Sequence, residues 1–185
     1  MIDGMAAAKR GAVSRATANN ITCKPTALHY NAHISPFGYG DFDEDWESKA
    51  GQHMMWNGPF GALLFLNDLE YMGANRSGFF ANATLPLLEG LLDWWDCYLV
   101  KKECASCPDG YQLIDSGDAV NEGTTSTNSQ IALAFVQRLA DVLRKLPAGM
   151  SRSTPVAEKI ATHLAPFNTV SCFDPVSPET ICRCL

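Results

Sequence analysis

Apolar residues recur at helical spacing in several stretches of the chain, and each stretch is bounded by residues that begin or end helices. Asn57 precedes Pro59, whose fixed φ and missing N–H are tolerated in a first helical turn, and Gly73 follows the last apolar position. The apolar residues between these bounds are Phe60, Leu63, Leu64, Leu66 and Tyr71. A first helix is therefore predicted from about Asn57 to just before Gly73.

Two further stretches show the same pattern. Thr84, with Pro86 in the first turn, caps a second predicted helix whose leucine and tryptophan residues repeat at 3.6-residue spacing up to Leu99. A third helix is predicted from about Asn128 to Leu146. Its inward-facing residues are predicted to be Ile131, Phe135, Leu139, Val142 and Leu143. Because a short turn joins the first two helices, we expect them to form an antiparallel hairpin.

A fourth helix is predicted to begin at Thr154 and Pro155 and to end before Pro166. The polar, glycine-rich stretch from Cys104 to Ser126 carries no helical period, and no convincing alternating strand is found in the chain. The fold class is therefore predicted to be all-α. Two helix pairs separated by a long loop are typical of helical toroids and also of some bundles and solenoids, whereas the lack of a fixed repeat period disfavours a tetratricopeptide-like array.

The composition excludes several classes of protein. With 185 residues, 46% of them hydrophobic and 18% charged, the chain is long enough for one domain with a core. It has no apolar run near the roughly 20 residues needed to cross a bilayer, so no membrane partner is expected. Its net charge of -6, with the basic residues scattered, repels a phosphate backbone, and no nucleic-acid partner is expected.

Cysteines and glycosylation sequons indicate a secreted or lumenal parent protein. The chain has seven cysteines, and acceptor sequons begin at Asn20, Asn75 and Asn82. No apolar signal-peptide core is found in residues 1–20, so we expect the chain to be a piece of a longer secreted protein or to carry a wrongly assigned start. Cys104 and Cys107 are separated by two residues, as in redox-active Cys-x-x-Cys pairs. Their position after a predicted helix end, however, favours a structural disulfide or inert thiols over redox or zinc chemistry.

The loop between the helix pairs carries a group of carboxylates. Asp115, Asp118 and Glu122 lie within eight positions, and Asn128 follows at the start of the next helix. Neighbouring carboxylates can act as a general acid and a general base when burial or a nearby charge separates their pKa values. The alternative is a solvated acidic loop followed by a helix cap.

A second polar cluster lies between His29 and Phe37. His29, Tyr30, Asn31 and His33 combine aromatic rings with hydrogen-bonding groups, as a sugar subsite requires; alternatively, Tyr30 and Phe37 are packing residues. The two histidines are four apart, which suits a zinc site on a helix, but no Glu follows the first and Pro36 limits the helix, so no metal is expected.

The four tryptophans of the chain fall into two groups. Trp46 and Trp56 are flanked by polar residues, which favours an exposed cleft. Trp94 and Trp95 lie on a leucine-rich helix, which favours the core.

In order along the chain, five segments resemble the catalytic toroid of six-hairpin glycosidases: HYNAHISPFG, MWNGPFGALLFLNDLEYMG, LPLLEGLLDWWDCYL, DGYQLIDSGDAVNEG and NSQIALAFVQRLADVL. The resemblance is nearest to the family 95 glycoside hydrolases, best known for α-L-fucosidases, and their eukaryotic relatives. It covers residues 26–169, between an unstructured or misassigned segment 1–25 and an irregular cysteine-containing tail 170–185. It implies a partial (α/α)6 toroid of about two helical hairpins, an oligosaccharide or glycan substrate, no cofactor, and inversion by general acid/base catalysis.

The resemblance also assigns roles to residues of this sequence. The family's general acid is a glutamate in the loop after the tryptophan-rich helix, which corresponds here to Glu122, with Asp118 as second choice. Of the family's Asn-x-Asn-x-Gln segment only Asn31 is retained. The expected substrate-binding residues are His29, Tyr30, Asn31, His33, Trp46, Trp56 and Asn128. Because the remainder of the toroid is missing, the isolated piece is expected to have weak or no activity; the alternative function is a non-catalytic helical carbohydrate-binding or scaffold protein.

Overall fold

The computed structural model describes residues 24–29, 57–72, 77–115, 118–121 and 124–166. Its helical elements are α1 (Asn57–Met72), α2 (Ser77–Phe79), a π-helical turn (Phe80–Thr84), α3 (Leu85–Tyr98), α4 (Gln130–Arg144) and α5 (Thr154–His163). Two antiparallel hairpins lie between α3 and α4 in the sequence. They are formed by β1 (Val100–Glu103) with β2 (Tyr111–Ile114) and by β3 (Asp118–Asn121) with β4 (Thr124–Ser126).

The four predicted helices are confirmed, and the described part of the chain is mainly helical. One predicted helix start is wrong in detail, because Thr84 forms no side-chain capping hydrogen bond. Thr84 itself has helical backbone angles, and the helical backbone continues from Ser77 through the π-helical turn into α3. There is consequently no free helix end for the threonine to cap.

The cap of α4 also differs by one residue from the predicted start. Ser129 is the N-cap, and its hydroxyl oxygen accepts a hydrogen bond from the Ala132 N–H at 3.4 Å. Asn128, directly before it, has a positive φ of 57°, a conformation that asparagine tolerates better than most residues. Asn128 therefore belongs to the loop that leads into the helix.

The core is centred on α3, which packs against α1, α4 and α5. Trp94 and Trp95 are 1% and 0% exposed and pack edge to face, as expected for core residues. The predicted inward face of α4 is wrong at Ile131, which is 43% exposed. Ala132 and Leu133, directly after it, are 0% and 1% exposed, so the buried face of the helix includes these two residues and not Ile131.

The prediction that the polar stretch from Cys104 to Ser126 is a loop without strands is wrong, because β2, β3 and β4 lie within it and β1 directly precedes it. In the first hairpin, Val100 pairs with Ile114 and Glu103 pairs with Tyr111. The backbone of Leu113 also pairs with the chain after α5, where the Ala165 N–H donates to the Leu113 carbonyl oxygen at 2.8 Å. This contact fixes the end of β2, and with it the start of the carboxylate-bearing loop, against the end of α5.

Candidate functional site

The loop from Asp115 to Asn128 is closed at its base by a hydrogen bond between its two ends. The Asp115 N–H donates to the Asn128 side-chain oxygen at 3.0 Å, and Asp115 is completely buried. The two residues are thirteen positions apart, and the β3–β4 hairpin lies between them. The Asn128 side chain therefore holds together the neck of the loop that carries the predicted catalytic carboxylates.

The two predicted catalytic residues lie on or next to this hairpin in the sequence. Asp118 begins β3 and pairs with Ser126 on β4. Glu122 lies outside the described residues; in the sequence it falls between Asn121 and Thr124, which form the last backbone pair of the hairpin. The ladder has an irregularity between Ala119 and Asn121, a local feature that changes the twist of a strand.

His29, a predicted sugar contact, is only 2% exposed. Its ring stacks on Trp94 with centroids 4.5 Å apart, and Trp94 stacks in turn on Tyr98 at 4.7 Å. The three rings are part of the aromatic core around α3, and this position makes His29 a packing residue rather than a group on an open cleft. Five other predicted substrate contacts lie outside the described residues: Tyr30, Asn31, His33, Trp46 and Trp56.

A network of charged side chains that was not predicted from the sequence lies on one face of α3. Its acidic members, Glu89, Asp93 and Asp96, are spaced four and three positions apart, which aligns them along the helix. Asp93 is almost fully buried and accepts hydrogen bonds from the Thr26 hydroxyl at 2.5 Å and from the Arg152 guanidinium at 2.8 Å. Acidic residues at helical spacing within a leucine-rich helix were the available sequence signal.

The remaining contacts extend this network along the helix. Glu89 accepts hydrogen bonds from the Ser151 hydroxyl at 2.8 Å and from the Arg152 N–H at 2.9 Å. Lys24 contacts Asp96 at 2.7 Å and Asp93 at 3.2 Å. The network thus ties the segment before α1, the face of α3 and the start of α5 to one another.

The charges in the network shift each other's protonation. Burial raises the pKa of Asp96, but hydrogen bonds from Lys159 and Lys24 outweigh it, so this pKa lies below its ordinary value. Burial lowers the pKa of Lys24, but its hydrogen bonds and its attraction to Asp96 and Asp93 outweigh that effect, so this pKa is raised. The Asp96 carboxylate and the Lys24 ammonium are therefore both stabilised in their charged forms. Groups stabilised in this way hold segments of the chain together as ion pairs and are poorly placed to give up or take up a proton.

Cys104 and Cys107 form a disulfide in the turn of the β1–β2 hairpin, one of the two states predicted for this pair, and Cys97 is disulfide-bonded as well.

Among the described residues, no three or more histidine, cysteine or acidic side chains are grouped so that they could hold a metal ion. Within the same residues, no helix is both long enough and apolar enough to cross a membrane.

Of the predicted glycosylation sites, Asn82 is exposed on the π-helical turn, and Asn20 and Asn75 lie outside the described residues. The threonine of the Asn82 sequon, Thr84, is buried. The described structure therefore presents one of the three sequon asparagines to solvent.

Comparison with known proteins gives no relative for this chain. No protein-family model matches it, and neither a curated protein nor a solved structure does.

Proposed function

We propose that the chain is part of the catalytic domain of an inverting glycoside hydrolase of the six-hairpin, (α/α)6 toroid kind. The order of its segments supports this proposal, as does the alternation of helices with polar connections in the described residues. In this proposal Glu122 is the general acid, with Asp118 as the second candidate. The (α/α)6 toroid would be completed by further helical hairpins of the parent protein.

The observation that carries the proposal is the hydrogen bond between the Asp115 N–H and the Asn128 side chain. It joins the two ends of the segment that holds Asp118 and Glu122, and the β3–β4 ladder pairs the backbone between them. A general acid must be held within a fraction of an ångström of its working position, and a tethered, strand-paired segment meets that need better than a loop without internal bonds.

The reaction follows from the chemistry of an inverting glycosidase. The protonated carboxyl of Glu122 gives its proton to the leaving glycosidic oxygen, while a base supplied by the remainder of the toroid activates a water on the opposite face of the sugar. When that base is a carboxylate, the two carboxyl groups stand roughly 6.5–9.5 Å apart to leave room for the water. Neither step uses a cofactor.

The expected substrate is an oligosaccharide or glycan. Because His29 is buried against Trp94, we assign sugar contact to the other residues predicted from the sequence. These are Tyr30, Asn31, His33, Trp46, Trp56 and Asn128. Disulfide bonds at Cys104, Cys107 and Cys97 and the exposed Asn82 are consistent with a secreted or lumenal parent protein.

The experiment uses the natural full-length protein that contains this chain. Incubation with a panel of aryl α- and β-glycosides, including an α-L-fucoside, should release the phenol from at least one of them. NMR of the first-formed sugar should show the anomer opposite to that of the substrate. If the protein binds one of these sugars without hydrolysing its glycoside, the alternative function, carbohydrate binding without catalysis, is supported. If it neither binds the sugars nor hydrolyses any of the glycosides, the proposal is wrong.

A further inference from the structure

The turn between β1 and β2 carries a disulfide at the surface of the described structure. Cys104 and Cys107 are each partly exposed, and the other residues of the turn, 105, 106 and 108–110, are all exposed. Thiol–disulfide exchange requires that a thiolate reaches one of the two sulfurs, so access is its first condition. The Cys104–Cys107 disulfide meets this condition.

Backbone hydrogen bonds hold the turn independently of the disulfide. The Cys104 N–H donates to the Gly110 carbonyl at 2.9 Å, the Gly110 N–H donates to the Cys107 carbonyl at 3.0 Å, and the Cys107 N–H donates to the Cys104 carbonyl at 3.1 Å. Gly110 has a φ of 74°, a left-handed conformation that favours glycine. None of these bonds involves a sulfur atom, so the turn should persist when the disulfide opens.

Contacts with α5 also hold the turn in place from outside the ring that the disulfide closes. The Asp109 carboxylate contacts His163 Nε2, and the ring of Tyr111, the first residue of β2, stacks on the His163 ring with centroids 4.5 Å apart. These contacts do not pass through either cysteine. After reduction, the two thiols should therefore stay side by side in a turn that remains docked on α5.

The disulfide itself contributes little to the stability of the fold. A disulfide stabilises a protein mainly by closing a loop of the unfolded chain, and the effect grows with the length of that loop. Cys104 and Cys107 are only three positions apart, which is at the short end of the range. Stabilisation of the fold is thus a weak reason for a bond at this exposed place.

Ser106 makes the two sulfurs unequal. Its hydroxyl oxygen lies 3.4 Å from Cys104 Sγ, and because a disulfide sulfur carries no proton, the hydroxyl is the donor. This hydrogen bond stabilises the negative charge that Cys104 Sγ takes on when the S–S bond breaks, which makes Cys104 the better leaving group. An incoming thiolate is therefore expected to attack Cys107.

We propose that Cys104–Cys107 is a thiol–disulfide exchange site, which small thiols of the glutathione kind open and close while the rest of the protein stays folded. A thiolate attacks Cys107 Sγ and forms a mixed disulfide with it, and Cys104 leaves as a thiolate that takes up a proton from water. A second thiolate attacks the small-molecule sulfur of the mixed disulfide, and Cys107 leaves and is protonated in turn. In total, two thiols give up two electrons and two protons and become one small disulfide, and the same steps in reverse close the site.

The test is the rate at which reduced glutathione reduces the disulfides of the folded protein at about pH 7.5. Free thiols are blocked with N-ethylmaleimide at intervals, and tryptic peptides are measured by mass spectrometry. Peptide 103–138 carries both cysteines of the turn, and peptide 77–101 carries Cys97, whose disulfide is the internal control. Cys104 and Cys107 should be labelled at least about tenfold faster than Cys97, because exposed disulfides are the labile ones. Equal rates, or faster labelling of Cys97, overturn the proposal.

Near-ultraviolet circular dichroism shows whether the fold survives reduction of the turn. Trp94 and Trp95 are buried in the core, so their signal reports its packing. The signal should be the same before and after Cys104 and Cys107 are reduced. A loss of the signal in step with their reduction would show that the disulfide supports the whole fold, and this result contradicts the proposal.

Variants of Ser106 test the direction of attack. Ser106→Ala should slow reduction of the turn by about threefold or more, because a hydrogen bond to the leaving sulfur is lost, whereas Ser106→Thr keeps the hydroxyl and should react like the wild type. The mixed disulfide trapped early in the reaction should carry glutathione on Cys107. An unchanged rate in Ser106→Ala, or glutathione found on Cys104 instead, overturns the assigned direction.

Discussion

Leu28 lies directly on the backbone of Gly90. The Leu28 N–H donates to the Gly90 carbonyl oxygen at 2.9 Å, and a Cβ on Gly90 would stand 2.5 Å from the Leu28 side chain and 2.9 Å from the Thr26 carbonyl oxygen. The missing side chain at position 90 lets the segment of residues 24–29 pack against α3. The same segment supplies Lys24 and Thr26 to the charged network on that helix.

Replacing Gly90 by alanine should destabilise the protein. The new methyl group would overlap both Leu28 and the Thr26 backbone, a change that costs about 1–3 kcal/mol in a packed core and more than offsets the helix preference of alanine. Urea unfolding followed by tryptophan fluorescence measures the change in free energy. The matched control is Gly61→Ala on α1, where a Cβ would meet nothing within 4 Å and stability should stay the same or rise by up to about 1 kcal/mol. Equal effects of the two substitutions would contradict this account.

The buried Asp93 should contribute more to stability than a surface carboxylate. Asp93→Ala leaves Thr26 and Arg152 without their shared acceptor, but Arg152 is half exposed and can be rehydrated, so a loss of about 2 kcal/mol is expected. Asp141→Ala, which breaks a surface pair with Arg144, should cost less than about 1 kcal/mol. A larger loss for Asp141→Ala in the same urea titration would show that the network on α3 has been misjudged.

Asp96 should make stability depend on pH in the acidic range. Its pKa is lower in the folded chain than in the unfolded chain, so its contribution is present above the ordinary carboxyl pKa and is lost as the pH falls through the lowered folded value. Asp96→Asn should therefore be less stable than the wild type at neutral pH, and the difference should shrink in strong acid. Thermal unfolding at a series of pH values tests this; a difference that stays constant or grows with acidity would refute it.

His29 should behave as a core residue. His29→Ala removes a buried ring that stacks on Trp94, and the resulting cavity is expected to lower the free energy of unfolding by about 2–4 kcal/mol. His29→Phe keeps an aromatic ring and should lose less. If the natural protein binds a sugar, a folded His29→Phe variant should retain that affinity. A His29→Phe variant that folds normally but no longer binds the sugar would show that His29 contacts the substrate.

The helices could be predicted from sequence because their signals are local. Asn57 and Pro155 lie at or near helix starts, and Pro147 and Gly149 follow the end of α4, all without reference to distant parts of the chain. The buried face of α4 was misjudged at Ile131 because a pattern weighted by side-chain size undervalues alanine. Ala132 and Ala140 are fully buried there.

The hairpins and the partners of the acidic residues on α3 could not be predicted because their determinants are not local. All four residues of β1 are exposed, so the strand shows no alternation, and its register depends on pairing with β2 across the disulfide-closed turn. Asp93 meets Thr26 and Arg152 from 67 and 59 positions away. In the candidate site, grouping the carboxylates with Asn128 was possible from sequence, whereas the bond from the Asp115 N–H to Asn128 required the folded loop.

Glu122 is proposed as the general acid of a glycosidase, and a pair of variants of the natural full-length protein tests this role. With the best glycoside from the panel, Glu122→Gln should lower kcat by about 10²–10⁴-fold and leave sugar affinity nearly unchanged, because the amide cannot give up a proton but keeps the shape of the side chain. Glu103→Gln, at an exposed position on β1, is the matched control and should turn over like the wild type. Equal kcat values for both variants and the wild type would contradict the claim.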